Sequence, residues 1–163
     1  MNKNIIKYLV FIVASAVLIA IDQITKSLAL KYLHNNKPYV IIDNVLELTY
    51  VENRGAAFGI LQNKQVLFCI LTIVVLIVIS TLLYKIDDIK SNLLYFIFLI
   101  LIFSGAIGNF IDRVKNKYVI DFIYFKPIDF PVFNFADIYI TIACILMIAY
   151  LIFDNRMKKD LLN

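Results

Sequence analysis

Four uncharged and strongly apolar runs divide the 163-residue chain, and more polar stretches separate them. A helix needs about 20 residues to cross the hydrocarbon core of a bilayer. Two of the runs reach that length, whereas the first and the last must draw flanking polar residues towards the membrane. The pattern therefore predicts four membrane helices, at about 5–30, 65–84, 91–111 and 137–154. The longest predicted connections are 31–64 and 112–136.

Both long connections contain short stretches of alternating polarity, which is typical of β-strands. Residues 39–51 alternate about Asp43–Asn44, and this predicts a hairpin with a two-residue turn. Residues 117–125 alternate as well, with Val119 and Asp121 on the same face. We therefore predict a small sheet resting on the membrane surface, with a short surface helix after the hairpin.

The composition excludes a water-soluble domain. Hydrophobic residues make up 62% of the chain and charged residues 17%, whereas soluble domains have about 45–50% apolar and about 25% charged residues. Such a chain cannot cover its surface with polar groups, and it is too apolar to be disordered. We predict one domain over 1–163, an all-α polytopic membrane protein with four transmembrane helices and a small extracytoplasmic sheet.

The distribution of Lys and Arg predicts the orientation. The first seven residues, the 85–90 link and the C-terminal tail carry seven basic residues in 23 positions, against eight in 60 for the longer connections. The denser side is cytoplasmic by the positive-inside rule, so we expect both termini in the cytoplasm. The polar ends of the first, third and fourth helices would then meet near the outer face. The net charge of +4 is spread along the chain and does not indicate a nucleic-acid partner.

Asp121 and Asp137 are candidates for a catalytic pair. Asp121 lies in a strand-like stretch and Asp137 at the start of the fourth helix, with Pro127 and Pro131 between them. Two neighbouring carboxyl groups in a medium of low dielectric constant share one proton, which is the chemistry of aspartic proteases. The alternatives are an N-cap role for Asp137 and an outward-facing position at a sheet edge for Asp121.

A second set of polar residues is predicted to support this pair. Asp22 and Lys26 are four residues apart, a spacing that favours an ion pair within a helix. Asn109 and Asp112 are three apart and share a helix face. Arg113 has the donor geometry to hold a substrate carbonyl or to orient a carboxylate. The alternative for Asp112 and Arg113 is a charge pair that anchors the helix at the interface.

Asn53 and Gly55 follow the predicted hairpin. An asparagine amide can bind a peptide backbone from both its ends, and a glycine allows a backbone to come close. The alternative is a turn that leads into the surface helix, and the 53–62 segment could serve as a lid. Other schemes fail because the chain lacks HExxH, GxSxG and P-loop motifs and has only one histidine, His34. We predict neither a metal nor a cofactor.

Five motifs in order make the chain resemble the lipoprotein signal peptidase (signal peptidase II) family: DQITK (22–26), NRGAAF (53–58), GAIGNFIDR (105–113), VIDFI (119–123) and FNFAD (133–137). The resemblance implies an aspartic endopeptidase of the bacterial cytoplasmic membrane. Such enzymes cut prolipoproteins just before a diacylglyceryl-modified cysteine. It implies Asp121 and Asp137 as the dyad, Asn53 and Arg113 as substrate contacts, and Asn109 and Asn134 as residues that line the site.

Two other classes of protein remain as alternatives. A channel or transporter subunit would need polar residues through the middle of the membrane, whereas here they gather at one end of the spans. A membrane scaffold with an exposed outer sheet would leave the gathering of four aspartates unexplained. For the peptidase we expect lipid and lipidated precursors as partners and a monomer as the active state.

Overall fold

A computed structural model describes residues 3–55 and 60–153, with only the backbone of Phe153. The basic tail, Asp154 and residues 56–59 of the predicted surface-helix and lid segment lie outside these ranges. The elements in chain order are α1 (Lys3–Leu33), β1 (Tyr39–Ile42), β2 (Leu46–Asn53), α2 (Gln65–Tyr84), α3 (Leu93–Asn116), β3 (Val119–Phe125) and α4 (Phe135–Phe153). A short 3-10 helix, Lys126–Ile128, follows β3.

All four helices are long and apolar enough to cross a membrane. Most of their apolar side chains face outwards; α2, for example, buries only Ile79 and Leu83. Such surfaces are stable only in contact with lipid tails. The predictions of four membrane helices and of a small β-sheet are confirmed.

The helix α3 is central and packs against the other three helices. Near its first turns, Phe96 and Leu99 join Phe11 of α1 and Ile79 of α2 in an apolar core. Near its other end, Gly108 lets α1 come close, because a Cβ there would lie 2.5 Å from Asp22 Oδ2. Small residues commonly allow membrane helices to approach in this way. The close contact brings polar groups from separate helices together.

The sheet is antiparallel with the order β1-β2-β3. One face of β3 packs Ile120 and Phe122 against Ala29 of α1, together with Leu48 and Tyr50 of β2. This contact fixes the sheet to the end of α1. The opposite face of β3 carries Asp121.

The predicted two-residue hairpin turn is wrong. Ile42 pairs with Leu46, so three residues connect β1 and β2. Asn44 has a φ of 56°, a left-handed conformation that asparagine tolerates better than most residues. The alternation of polar and apolar residues predicts where such a turn lies, but not how many residues it contains.

The helix ends also differ from the predicted ones. The helix α1 continues to Leu33, so Asp22 and Lys26 lie inside it, and α3 continues past Arg113 to Asn116. The predicted helices ended at about 30 and 111, so α1 ends about three residues and α3 about five residues later than predicted. Charged residues do not end a helix when they are paired on a buried face. The helix α3 ends only where Lys117 adopts a left-handed conformation with φ 66°.

Candidate active site

Asp121 and Asp137 line the same cavity, which has a volume of about 670 Å³. β2 and β3 form one wall, α4 and the 130–133 segment form another, and α3 contributes Asn109 and Arg113. Asp121 is 2% exposed, and Asp137 is half-buried. The pleat of β3 turns Asp121 away from the apolar face that packs on α1. Both carboxyl groups thus face a space that a substrate could enter.

Asn134 connects the two carboxyl groups. Its Nδ2 donates to Asp121 Oδ1 at 2.6 Å, and its backbone N–H donates to Asp137 Oδ2 at 3.1 Å. In return, its Oδ1 accepts the backbone N–H of Asp137 at 3.0 Å. This is a reciprocal cap of the first turn of α4. The N-cap is therefore Asn134 and not Asp137, so the carboxyl group of Asp137 both completes the cap and faces the cavity.

Three asparagine amides present N–H donors to the carboxyl groups. Asn53 donates to Asp121 Oδ2 at 2.8 Å, and Asn109 donates to Asp137 Oδ1 at 2.8 Å. In each of the three, the amide oxygen accepts from a group that can only donate. These groups are the Gly55 N–H for Asn53, the Lys26 ammonium for Asn109 and the Asp137 N–H for Asn134. The orientation of every amide is therefore fixed by its partners.

A buried ion cluster lies behind Asn109. Lys26 Nζ lies 2.9 Å from Asp22 Oδ2 and 3.2 Å from Asp112 Oδ2, and both carboxylates are buried. Asp112 also accepts the backbone N–H of Ile120 at 3.0 Å, which ties α3 to β3. The interfacial charge pair considered for Asp112 and Arg113 is wrong, because Asp112 points inwards to Lys26. The predicted pairing of Asp22 with Lys26 is present.

Burial and the nearby charge of Asp137 together raise the pKa of Asp121 to about 7. Hydrogen bonds from Asn53 and Asn134 act in the opposite direction. Desolvation and a like charge both disfavour the ionised form of a carboxyl group. A carboxyl group whose pKa is raised towards neutrality can hold a proton at physiological pH, which suits a group that exchanges a proton during a reaction.

Arg113 borders the cavity beside both carboxyl groups. Its guanidinium stacks on the Phe68 ring, 4.7 Å from the ring centroid, and its Nε has no hydrogen-bond partner among the described residues. Its terminal nitrogen lies 3.5 Å from the Gly55 carbonyl oxygen. The stacking holds the planar donor group in place. The guanidinium therefore has N–H donors for a carbonyl group in the cavity.

Asn53 and Gly55 form a tight turn at the end of β2. Asn53 Oδ1 accepts the N–H of Gly55 at 2.9 Å, an Asx turn. A Cβ at Gly55 would lie 2.6 Å from the Ile60 carbonyl oxygen. The absence of a side chain at Gly55 thus allows another segment of the same chain, at Ile60, to come close. Asn53 contacts Asp121, so its amide acts on the carboxyl group within the site.

Two polar contacts were not predicted from the sequence. Gln23 Nε2 lies within 3.1 to 3.3 Å of Asp22, the Gly108 carbonyl and Asp112. The sequence feature that could have indicated the first contact is an amide side chain next to Asp22 within an apolar helix. At the far end of the helices, the buried Lys7 donates to the Ile86 carbonyl at 2.7 Å. The described part of the chain holds no group of three His, Cys, Asp or Glu side chains suited to a metal ion.

Comparison with known proteins identifies the family. Residues 14–153 match the profile of the family described as signal peptidase (SPase) II. The lipoprotein signal peptidase of Caldanaerobacter subterraneus subsp. tengcongensis is 49% identical over 148 residues, covering 90% of this chain and 99% of the relative. That of Staphylococcus haemolyticus is 41% identical, covering 98% and 100%.

A solved structure of similar fold agrees with these matches. It is described as a bacterial membrane enzyme determined by the in meso method at 1.9 Å resolution, with a TM-score of 0.79 and 37% identity. The match covers 89% of this chain and 94% of that one. The four apolar helices, the site between them and these similarities lead to one assignment. The chain belongs to the signal peptidase II family of peptidases, which remove signal peptides from prolipoproteins.

Proposed function

We propose that this chain is an aspartic endopeptidase that cuts prolipoproteins on the N-terminal side of a diacylglyceryl-modified cysteine. The observation that carries the proposal is the pair formed by Asp121 and Asp137, which line one cavity and are joined by Asn134. Family membership makes the chain a peptidase of prolipoproteins, and the pair supplies the chemistry.

The reaction needs one proton shared between the two carboxyl groups. The ionised carboxylate takes a proton from water as the water oxygen bonds to the scissile carbonyl carbon. The protonated carboxyl group gives its proton to the carbonyl oxygen. A tetrahedral intermediate forms. It collapses as the C–N bond breaks. The amine that leaves takes the proton that came from water, and a hydroxyl group of the intermediate returns its proton to the other carboxylate as the new carboxyl group forms, so the dyad again holds one proton.

Arg113 and the fixed amides support the geometry of this reaction. Arg113 lines the cavity, and its guanidinium N–H donors can hold a carbonyl oxygen of the bound peptide. Asn53, Asn109 and Asn134 hold the two carboxyl groups in position. Preorganised donors of this kind lower the barrier because they need no rearrangement during the reaction.

The surroundings of the site suit a lipidated substrate at the membrane. A second apolar groove of about 390 Å³ between α2, α3 and α4 also reaches Asn109, Arg113 and Asp137. Acyl chains can therefore stay in apolar surroundings while the peptide reaches the carboxyl groups. From the distribution of Lys and Arg, we place the site near the outer face of the cell membrane, with both termini in the cytoplasm. The site takes its residues from one chain, so a monomer suffices.

The proposal is tested with purified enzyme in detergent and a diacylglyceryl-modified precursor. The wild type is expected to release a product that begins with the lipidated cysteine. Asp121→Asn and Asp137→Asn are each expected to lower kcat by at least about 100-fold. Asp43→Asn, which changes an exposed carboxylate in the hairpin turn, is the matched control and should cleave normally. Cleavage at a wild-type rate by either dyad variant would refute the aspartic mechanism.

A further inference from the structure

The Lys26 ammonium group contacts three buried acceptors. One of them, the Asn109 amide oxygen, belongs to a side chain that contacts Asp137 of the dyad. Its Nζ lies 2.9 Å from Asp22 Oδ2, 3.2 Å from Asp112 Oδ2 and 2.9 Å from Asn109 Oδ1. These acceptors match the three N–H donors of an ammonium group. Because Lys26 is only 1% exposed, its charge is fixed in place.

Two donors fix the orientation of the Asn109 amide, because Lys26 Nζ and Asn134 Nδ2 both donate to its Oδ1. An ammonium group cannot accept a hydrogen bond, so the oxygen of the Asn109 amide must face Lys26. The Nδ2 of the same amide then faces Asp137 and donates to its Oδ1 at 2.8 Å. A charged donor on one side of an amide also strengthens the hydrogen bond that the amide donates on the other side.

The two carboxyl groups have different surroundings. Asp137 lies in the first turn of α4, where the helix dipole favours an anion, and it accepts a backbone N–H from Asn134. Asp121 lies in a strand and accepts from the neutral side-chain amides of Asn53 and Asn134. Burial and the charge of Asp137 raise the pKa of Asp121 to about 7.

We propose that Lys26, through Asn109, is a positioning residue that keeps Asp137 ionised and leaves the resting proton of the dyad on Asp121. The inference rests on the proposed function, and it assigns the two roles within it. Asp137 takes the proton from the attacking water, and Asp121 protonates the carbonyl oxygen of the scissile bond. Lys26 contacts neither substrate nor water in this scheme.

Other charges also act on the dyad. Arg113 interacts with Asp137 and, more weakly, with Asp121, whereas the charge of Lys26 acts through space on both carboxyl groups. The ion cluster contains two carboxylates and one ammonium group, and its net negative charge opposes a further anion nearby. The hydrogen bond from Lys26 to Asn109 is the contact of Lys26 that leads to Asp137 and not to Asp121, because Asn109 Nδ2 donates to Asp137 Oδ1. The charged and polar groups that act on Asp137 are Asp22 and Lys26 of α1, Asn109 and Arg113 of α3, Asp121 of β3, and Asn134 at the start of α4.

The test is the dependence of kcat/KM on pH for variants that act on one carboxyl group each. Lys26→Met is expected to move the acid limb, where Asp137 becomes protonated, to higher pH by about one unit and to move the alkaline limb less. Asn53→Ala removes a donor to Asp121, so it should move the alkaline limb to higher pH and leave the acid limb in place.

A double variant separates the hydrogen bond from the net charge. Lys26→Met with Asp22→Asn keeps the net charge of the cluster but removes the bond to Asn109. We expect the shift of the acid limb to persist in it. Asn109→Leu leaves the ion cluster intact and should give the same shift, which keeps the test open if the Lys26 variants do not fold.

Three results would overturn the inference. The first is a uniform loss of kcat/KM with both limbs unmoved. The second is an exchange of effects, in which Lys26→Met moves the alkaline limb and Asn53→Ala the acid limb. The third is a return to the wild-type profile in the double variant. Failure of the proposed function is a separate result, because the wild type would then not cleave or Asp121→Asn would still be active.

Discussion

Asn134 and Asp137 hold each other across the first turn of α4 by two hydrogen bonds that run in opposite directions. The Asn134 N–H donates to Asp137 Oδ2 at 3.1 Å, and the Asp137 N–H donates to Asn134 Oδ1 at 3.0 Å. The same asparagine donates to Asp121. Asn134 thus caps the helix with its side-chain oxygen and joins the two carboxyl groups with its backbone N–H and side-chain Nδ2, and substitutions of the side chain can separate these tasks.

Replacing Asn134 should separate stability from activity. Asn134→Ala removes both the cap and the link to Asp121, so we expect a loss of about 1 kcal/mol of stability and at least a 100-fold fall in kcat. Asn134→Ser keeps a capping oxygen but cannot reach Asp121 with a donor. It should recover most of the thermal stability measured in detergent without recovering kcat. A serine variant with wild-type kcat would show that the link to Asp121 is dispensable.

Cleavage should decline above neutral pH. The raised pKa of Asp121, about 7, means that its carboxyl group is protonated below that pH and loses the proton as the pH rises through it. Since the reaction needs one proton on the dyad, kcat/KM should fall about tenfold per pH unit on the alkaline side. A profile of kcat/KM from pH 5 to 9 measures this, with the melting temperature recorded at each pH as a control for unfolding. A flat profile up to pH 9 would contradict it.

Arg113→Lys should weaken catalysis although it keeps the positive charge. Lysine lacks the planar set of donors and the stacking on Phe68. Loss of one hydrogen bond from a charged donor costs about 1.5–3 kcal/mol, so kcat/KM should fall about 10- to 100-fold. Lys115→Arg, an exposed change near the end of the same helix, is the control. Equal kcat/KM for Arg113→Lys and the wild type would exclude a role for the guanidinium geometry.

Labelling of single cysteines tests the orientation in the membrane. In a background with Cys69 and Cys144 replaced by serine, Asp43→Cys in the hairpin turn should react with a membrane-impermeant thiol reagent added outside intact cells. Asp87→Cys, which is exposed at the opposite ends of the helices, should react only after the cells are permeabilised. The reverse pattern would mean that the site faces the cytoplasm.

The sequence predicted the number of membrane helices well, because runs without charges are long and unambiguous. It predicted helix ends less well for a physical reason. Asp112 looks like a boundary residue in a linear pattern, yet its buried pairing with Lys26 lets α3 continue past it. The three-residue hairpin connection was missed because an asparagine in a left-handed conformation leaves no trace in the alternation of polarity.

The site was only partly predictable. Helical spacing alone indicated the pairing of Asp22 with Lys26, since both lie on one helix. Asn134 was predicted as a site residue only from the family motif, because an asparagine just before a helix is typical of an ordinary N-cap. The contact of Lys26 with Asn109 joins residues 83 positions apart, and no local pattern could have linked them.

The position of Lys26 also bears on how the protein is made. An ammonium group and a carboxylate on the first helix enter the bilayer before the third helix has been synthesised, and at that stage they have only each other. Asp112 and Asn109 become partners when α3 arrives, and Asp137 follows with α4. Because the proposed dyad includes Asp137, it is complete only once the last segment has inserted, so a nascent chain would not yet cleave a precursor.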